Sequence, residues 1–278
     1  MSKRDLYFSK PLMNAAGMLG FEPPRAATPP AGWELGFGAF VTNPLSLRAR
    51  KPAASPQVCE YPGGLLMHTG LPNPGLSGAL AKHAAQWARA DLPVIVHLMA
   101  DRPEETVRMV RSLESIENVM GVELGFAPQL ADDIYLLVLE MCQGGLPLMV
   151  NLPADKMLSL GPRLIDAGAA ALSLAAPRGA IPKAMDNRPS TEEKPPTDHH
   201  PLPTVHWSLI TGRLYGPSLF PHTLETVYSA AKFGLPIIGA GGVWTKENAE
   251  AMLSAGVLAV QVDAALWSPN TIFSAPIA

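Results

Sequence analysis

LPIIGAGGVWTKENAEAMLSAGVLAVQVDAAL, residues 235–266, reads as one complete β-α-β unit. A continuous apolar run, PIIGAG at 236–241, ends among glycines, Thr245 stands where a helix N-cap belongs, Gly256 marks a helix stop, and a second apolar run, AVQVDA at 259–264, follows. Neither run alternates polar with apolar residues, so each describes a strand covered on both faces, as in a parallel sheet. Working back toward the N-terminus, PLMNAAG (11–17), GAFVTN (38–43), PVIVHLM (93–99), GVELGF (121–126), PLMVNL (147–152) and AALSLAA (170–176) repeat the pattern and complete a set of eight. Eight such strands alternating with helices predict an α/β fold, a closed parallel (β/α)8 TIM barrel. A chain of 278 residues suits one domain spanning 1–278, because such barrels run to about 250 residues.

Ile134, Leu137, Val138 and Met141 follow the i, i+3, i+4, i+7 rule, and Leu224, Val227, Tyr228 and Ala231 repeat it, which predicts one-sided helices burying those residues against the sheet. Gly144, Gly168 and Gly234, like Gly256, fall where helices should stop. After AVQVDAALW only SPNTIFSAPIA remains, too short and too interrupted by proline for a full final helix. The last strand is then partly uncovered, and a homo- or hetero-oligomer burying Leu266 and Trp267 is expected. Two long loops, 44–75 and 177–221, leave the C-terminal ends of strands, the face where barrel enzymes place their chemistry. The middle of the second, 187–203, is rich in Pro, Thr, Glu and His and reads as a solvated excursion.

Hydrophobic residues make up 47% of the chain and charged residues 16%, and the formal net charge is −3. No basic field exists to gather nucleic acid or acidic lipid headgroups, so the expected partner is a small molecule at the barrel mouth or another protein. No apolar run is long enough for a membrane span. The N-terminus lacks the apolar segment of a secretory signal, which predicts a cytoplasmic protein. Cys59 and Cys142 are isolated and suggest neither a disulfide framework nor a metal knuckle.

Several stretches, in matching order, resemble dihydroorotate dehydrogenases, especially the soluble class 1 enzymes. NAAGMLGF (14–21), GAFVTNPLSLRARKP (38–52), YPGGLLMHTGLPNPG (61–75), LSLAAPRGAI (172–181), GRLYGPSLFP (212–221) and the closing unit at 235–266 carry the likeness across nearly the whole chain. The resemblance implies an FMN-dependent oxidoreductase of the CH-CH class, in which a cysteine or serine base deprotonates one carbon while hydride passes to flavin. Carried over residue by residue, it implies a cofactor site at Ala16, Gly17, Tyr215, Gly216, Ala240, Gly241, Gly242, Asp263 and Ala264.

The reactive positions of that pattern are replaced. The fourth-strand loop reads Gly125, Phe126, Ala127, Pro128, Gln129, with Ala127 at the base position. The lysine after the second strand is Asn43, and the lysine facing the flavin's N1/O2 edge is Asn151; an amide supplies no cation. The substrate-loop asparagine is Met67 and the sixth-strand asparagine is Ala176. Asp263 stands where the family offers a glycine or neutral residue beside the phosphate. If flavin is absent, its carboxylate is expected to take the phosphate's place, bonded to the Gly241 and Gly242 amides, paired with Arg213 and held at a depressed pKa.

Other residues keep two readings each. Gly239, Gly241 and Gly242 either cradle phosphate or make a tight strand-to-helix turn. His97 is an acid/base or ligand contact, or else a hydrogen-bonded core histidine. Glu123 is a buried acid of raised pKa or a structural hydrogen-bonding group. His199, His200 and His206 suggest metal only superficially, because they lie in a Pro-rich loop without supporting ligands, and no metal is expected. Cys59 has no evident partner as a nucleophile. Two functions result: an FMN-type oxidoreductase with an unknown substrate that does not oxidise dihydroorotate itself, or a non-catalytic barrel serving as an assembly or regulatory subunit.

Overall fold

The structure is a computed structural model and describes residues 6–24, 33, 35–54, 57–184 and 207–267. In chain order its elements are β1 (Leu12–Asn14), β2 (Phe37–Val41), β3 (Gln57–Tyr61), β4 (Gly64–His68), α1 (Gly75–Ala88), β5 (Val94–Met99), α2 (Pro103–Leu113), β6 (Val119–Gly125), α3 (Asp132–Met141), β7 (Leu148–Leu152), α4 (Met157–Asp166), β8 (Ala171–Leu174), β9 (Arg178–Ala184), β10 (Trp207–Tyr215), α5 (Phe220–Lys232), β11 (Ile237–Ala240), α6 (Lys246–Ser254) and β12 (Ala259–Val262). Eight strands close a parallel barrel in the order β1-β12-β11-β8-β7-β6-β5-β2, and each lies within or overlaps one of the eight apolar runs. Side chains alternate across each strand. Val94, Val96 and Leu98 face the helices, while Ile95 packs with Met149, Ala171, Ile238 and Ala259 inside the barrel.

The helices correct two expectations. In α3 the buried residues are Tyr135, Val138 and Leu139, while Leu137 and Met141 are 42% and 37% exposed. The Tyr135 ring stacks on Phe126 at a centroid distance of 4.1 Å, and this contact turns the helix so that Tyr135 faces the core. In α5 the buried residues are Thr223, Thr226, Val227 and Ala230, and Tyr228 is left outside beneath the ammonium of Lys232. Thr223 sets that rotation by donating its hydroxyl to the Gly241 carbonyl at 2.7 Å. At α6 the reading holds: Thr245 Oγ1 accepts from the Asn248 amide, and Asn248 Oδ1 accepts from the Thr245 amide, a reciprocal capping box.

The described parts of the two long insertions carry regular structure. They supply β3, β4, β9 and β10, which form a separate antiparallel sheet in the order β3-β4-β10-β9. The sheet meets itself closely at Gly216, where φ is +132° and a Cβ would lie 2.4 Å from the Gly64 Cα. Residues 187–203 and His199, His200 and His206 lie outside the described residues. At the C-terminal end, a short 3-10 turn at Ala264–Leu266 follows β12, and the Trp267 indole N–H donates to the Met18 carbonyl at 2.7 Å. Leu266 packs beside Met18, Leu65 and Tyr215 of the same chain, so the mouth side of this surface is partly covered internally. Trp267 stays 44% exposed. Among the described residues no helix is long and apolar enough to cross a membrane.

Candidate functional site

Above the apolar layer inside the barrel lies a polar layer drawn from five strands. Glu123 on β6 is its centre. Its Oε2 accepts from His97 Nδ1 on β5 at 2.6 Å, and its Oε1 accepts from Ser173 Oγ on β8 at 2.6 Å and Gln261 Nε2 on β12 at 2.8 Å. Asn151 on β7 donates to Ser173 Oγ at 3.0 Å, and the His97 amide donates to Thr42 Oγ1. Burial pushes the Glu123 carboxyl up, but the hydrogen bond and charge of His97, with Ser173 and Gln261, outweigh it and hold the group below the usual carboxylate range. An ionised carboxylate only accepts, so Nδ1 of His97 carries the proton of that contact. The expectation of a raised Glu123 pKa is thus corrected, and His97 is hydrogen-bonded to it inside the barrel. Gly125 gives the imidazole its room, because a Cβ there would lie 2.2 Å from Nε2.

Over this layer, on the barrel axis, the space is narrow. His97, Glu123, Asn151, Tyr215, Gly241 and Asp263 line a cavity of about 30 Å3, enough for one or two water molecules. Tyr215 descends from β10 and is 4% exposed, packed with Met18, Leu65 and Ala264 in a small apolar cluster. Asp263 is fully enclosed. Burial raises its pKa to about 6, while the amides of Ala264, Gly242 and Ala265 pull the other way without prevailing. Its Oδ1 has no hydrogen-bond partner.

That corrects the expectation of a depressed pKa: the amides lie close enough to favour the anion, but they do not meet both oxygens, so desolvation dominates. Gly241 is not among the amides acting on the carboxyl, and Arg213 does not pair with it; the guanidinium bonds toward Tyr215 instead.

The remaining candidate positions are held as follows. Asn43 Oδ1 accepts from the Gly20 amide and Asn43 N donates to the Gly20 carbonyl, so the side chain fastens the loop after β1. The Ala127 amide donates to Asp101 Oδ1 at 2.7 Å, and its methyl offers no proton acceptor. Gly17, Gly241 and Gly242 adopt positive φ, and at Gly242 a Cβ would meet the Phe220 amide nitrogen at 2.4 Å, so tight turning alone demands glycine there. Ala16 and Ala240 line the small cavity, while Ala264 is buried beside Tyr215. Gly216 caps the strand above them. Cys59 is half-buried on β3. Among the described residues no group of three or more His, Cys, Asp or Glu could hold a metal ion.

Ser173, Gln261 and Thr42 were not singled out from sequence, although each is an inward polar residue at a two-residue period in an otherwise apolar strand. Arg178, at the start of β9, was also missed. It lines two further clefts with Arg213: one of about 470 Å3 reaching Phe126, Ala127 and Leu174, and one of about 220 Å3 reaching Arg50 and His68.

Residues 3–127 match the model of the dihydroorotate dehydrogenase family. The catalytic subunit of dihydroorotate dehydrogenase B (NAD(+)) from Pelobacter propionicus is 30% identical over 275 residues, covering 94% of this chain and 84% of the relative. The subunit of the same name from Pyrococcus furiosus is 28% identical over 276 residues, with the same coverage. Among solved structures, dihydroorotate dehydrogenase of Eimeria tenella in complex with ferulenol superimposes with a TM-score of 0.64 over 92% of this chain and 76% of that one, at 16% identity, which speaks for the fold. By this sequence relationship, the chain belongs to the dihydroorotate dehydrogenase family.

Proposed function

We propose that this chain is a dihydroorotate dehydrogenase-like barrel that has given up the family's flavin chemistry and acts by binding, as an assembly or regulatory subunit or as a receptor for a small molecule. The observation that carries this reading is the buried Asp263 carboxyl, whose Oδ1 has no hydrogen-bond partner, at the position the resemblance gives to the phosphate. FMN is expected for the family, and a ligand of that size calls for a pocket of roughly 300 Å3 or more. Here Tyr215 and the Met18–Leu65 cluster leave a cavity of about 30 Å3 above the barrel axis, and the cleft of about 470 Å3 that adjoins it at Asn151, Leu174 and Ala176 opens to one side of that axis. Where the resemblance places the phosphate, the chain presents the buried Asp263 carboxyl, whose ionised form would oppose a dianion. The Asp263 carboxyl is the feature of this chain that opposes an FMN phosphate in the family's position.

The reacting positions agree. Ala127 cannot take a proton, and neither Asn43 nor Asn151 can place a cation beside a reduced flavin; both amides are engaged in structural hydrogen bonds. Supplied with FMN, dihydroorotate and fumarate or a quinone, the protein should show no turnover above background. Ala127→Cys should not restore it, because the substrate and flavin contacts would still be missing. Turnover by the unmodified protein would overturn the proposal.

A second reading, an FMN-type oxidoreductase with a different substrate, is favoured by the retained turns at Gly17, Gly241 and Gly242 and by the enzyme relatives. It requires Tyr215 and Asp263 to leave the mouth.

A further inference from the structure

The small cavity on the barrel axis is walled by hydrogen-bond acceptors that lack donors. His97 gives its Nδ1 proton to Glu123, so Nε2, which lies over Gly125, keeps its lone pair. Asn151 gives its amide nitrogen to Ser173 and keeps Oδ1. Asp263, at the end of β12 and 3% exposed, presents an Oδ1 with no hydrogen-bond partner. All three residues line the cavity of about 30 Å3. A buried acceptor left unpaired is costly, and three of them around one small space fix the chemistry of what fills it.

The charges agree with the acceptors. Glu123, on the same wall, is held ionised by His97, Ser173 and Gln261. Arg213 is the one permanent cation among the lining residues; it bonds toward the Tyr215 hydroxyl, which burial keeps neutral. Above about pH 6 the Asp263 carboxyl adds a second negative charge. Two carboxylates against one guanidinium leave the cavity net negative. Its size admits a group no larger than one or two water molecules, and among the described residues no group of three or more His, Cys, Asp or Glu could hold a metal ion. A compact cation that brings its own N–H donors meets both conditions, because an ammonium group donates and never accepts.

We infer that this cavity is a binding site for ammonium, as the free ion or as the head of a primary amine, held by N–H donation to His97 Nε2, Asn151 Oδ1 and Asp263 Oδ1. The Asp263 carboxylate supplies the charge, and the two neutral acceptors supply the direction. The carbon chain of an amine would leave through the adjoining cleft, which shares Asn151, Leu174 and Ala176 with the cavity, whereas the free ion needs the cavity alone. The inference rests on the flavin-free reading above, since FMN in the family's position would take this space. The same carboxyl that opposes a phosphate dianion attracts a cation.

Calorimetric titration of the full chain at about pH 8, where Asp263 is ionised, with the chlorides of ammonium, benzylammonium, tetramethylammonium and potassium tests this. Ammonium or benzylammonium should saturate one site per chain, and whichever binds more tightly separates the free ion from the amine head. Tetramethylammonium and potassium, which have no N–H to donate, should not bind. Affinity should fall about tenfold at about pH 5, where a carboxyl of pKa about 6 is ionised roughly one time in ten, and at least as far in Asp263→Asn at about pH 8. Asn151→Ala should weaken binding as well, so the outcome does not hang on one variant. Potassium or tetramethylammonium binding as tightly as ammonium, an affinity unchanged by pH or by both substitutions, or no saturable binding at millimolar concentration would overturn the site. Stoichiometric FMN released from the same samples would overturn the reading beneath it, whereas FMN-free protein that ignores both ammonium salts would overturn this site alone.

Discussion

Burial keeps a proton on Asp263 in a range where aspartates in water are ionised. With its pKa raised to about 6, the folded state holds a proton that the unfolded chain gives up near pH 4. Stability contributed by this residue therefore falls as pH rises from about 4 to about 6, and the full penalty is present above that window. Asp263→Asn removes the penalty. Thermal unfolding followed across pH should show the variant more stable than the parent at about pH 8, by up to about 3 kcal/mol, and nearly equal to it at about pH 4. A variant less stable at high pH would show that the carboxylate is satisfied after all. The sequence made Asp263 conspicuous but gave the wrong sign for its shift, because the number of amides that reach a carboxyl is a property of the turn and not of the residues in it. Glu123 shows the same limit from the other side. Its burial was legible in the apolar run around it, but Ser173 and Gln261 come from strands 50 and 138 residues away.

Elements whose signals are local were read well. The α6 cap lies within four consecutive residues, Thr245 to Asn248, and its two reciprocal hydrogen bonds are present. Thr245→Ala should cost about 1 kcal/mol and increase amide exchange in the first turn of α6, while leaving the barrel strands protected. Loss of protection throughout the molecule would place the cap in a larger cooperative unit. Helix rotation was less legible, because Leu137 and Tyr228 satisfy a helical period as well as the residues actually buried; Phe126 and Gly241, from neighbouring loops, decide the face. The second sheet was missed for a related reason. β4 pairs with β10 across a sequence separation of about 150 residues, and Pro- and Gly-rich flanks obscure both strands.

The whole molecule is a barrel whose eight strands were readable because each is a continuous apolar run bounded by turns, and whose mouth was not, because Tyr215 reaches it from a long insertion. The α6–β12 side still exposes Leu258, 47% open, and Trp267, despite the internal cover over Leu266. A second chain over that side is the expected arrangement: sedimentation at micromolar concentration should show a dimer or larger assembly, and a monomer would contradict it. The central claim concerns the cofactor, and it is tested most directly by incubating the native protein with excess FMN, removing unbound ligand, and measuring the absorbance and mass of small molecules released on denaturation. The account predicts no stoichiometric FMN in the unmodified protein; one FMN per chain would contradict it.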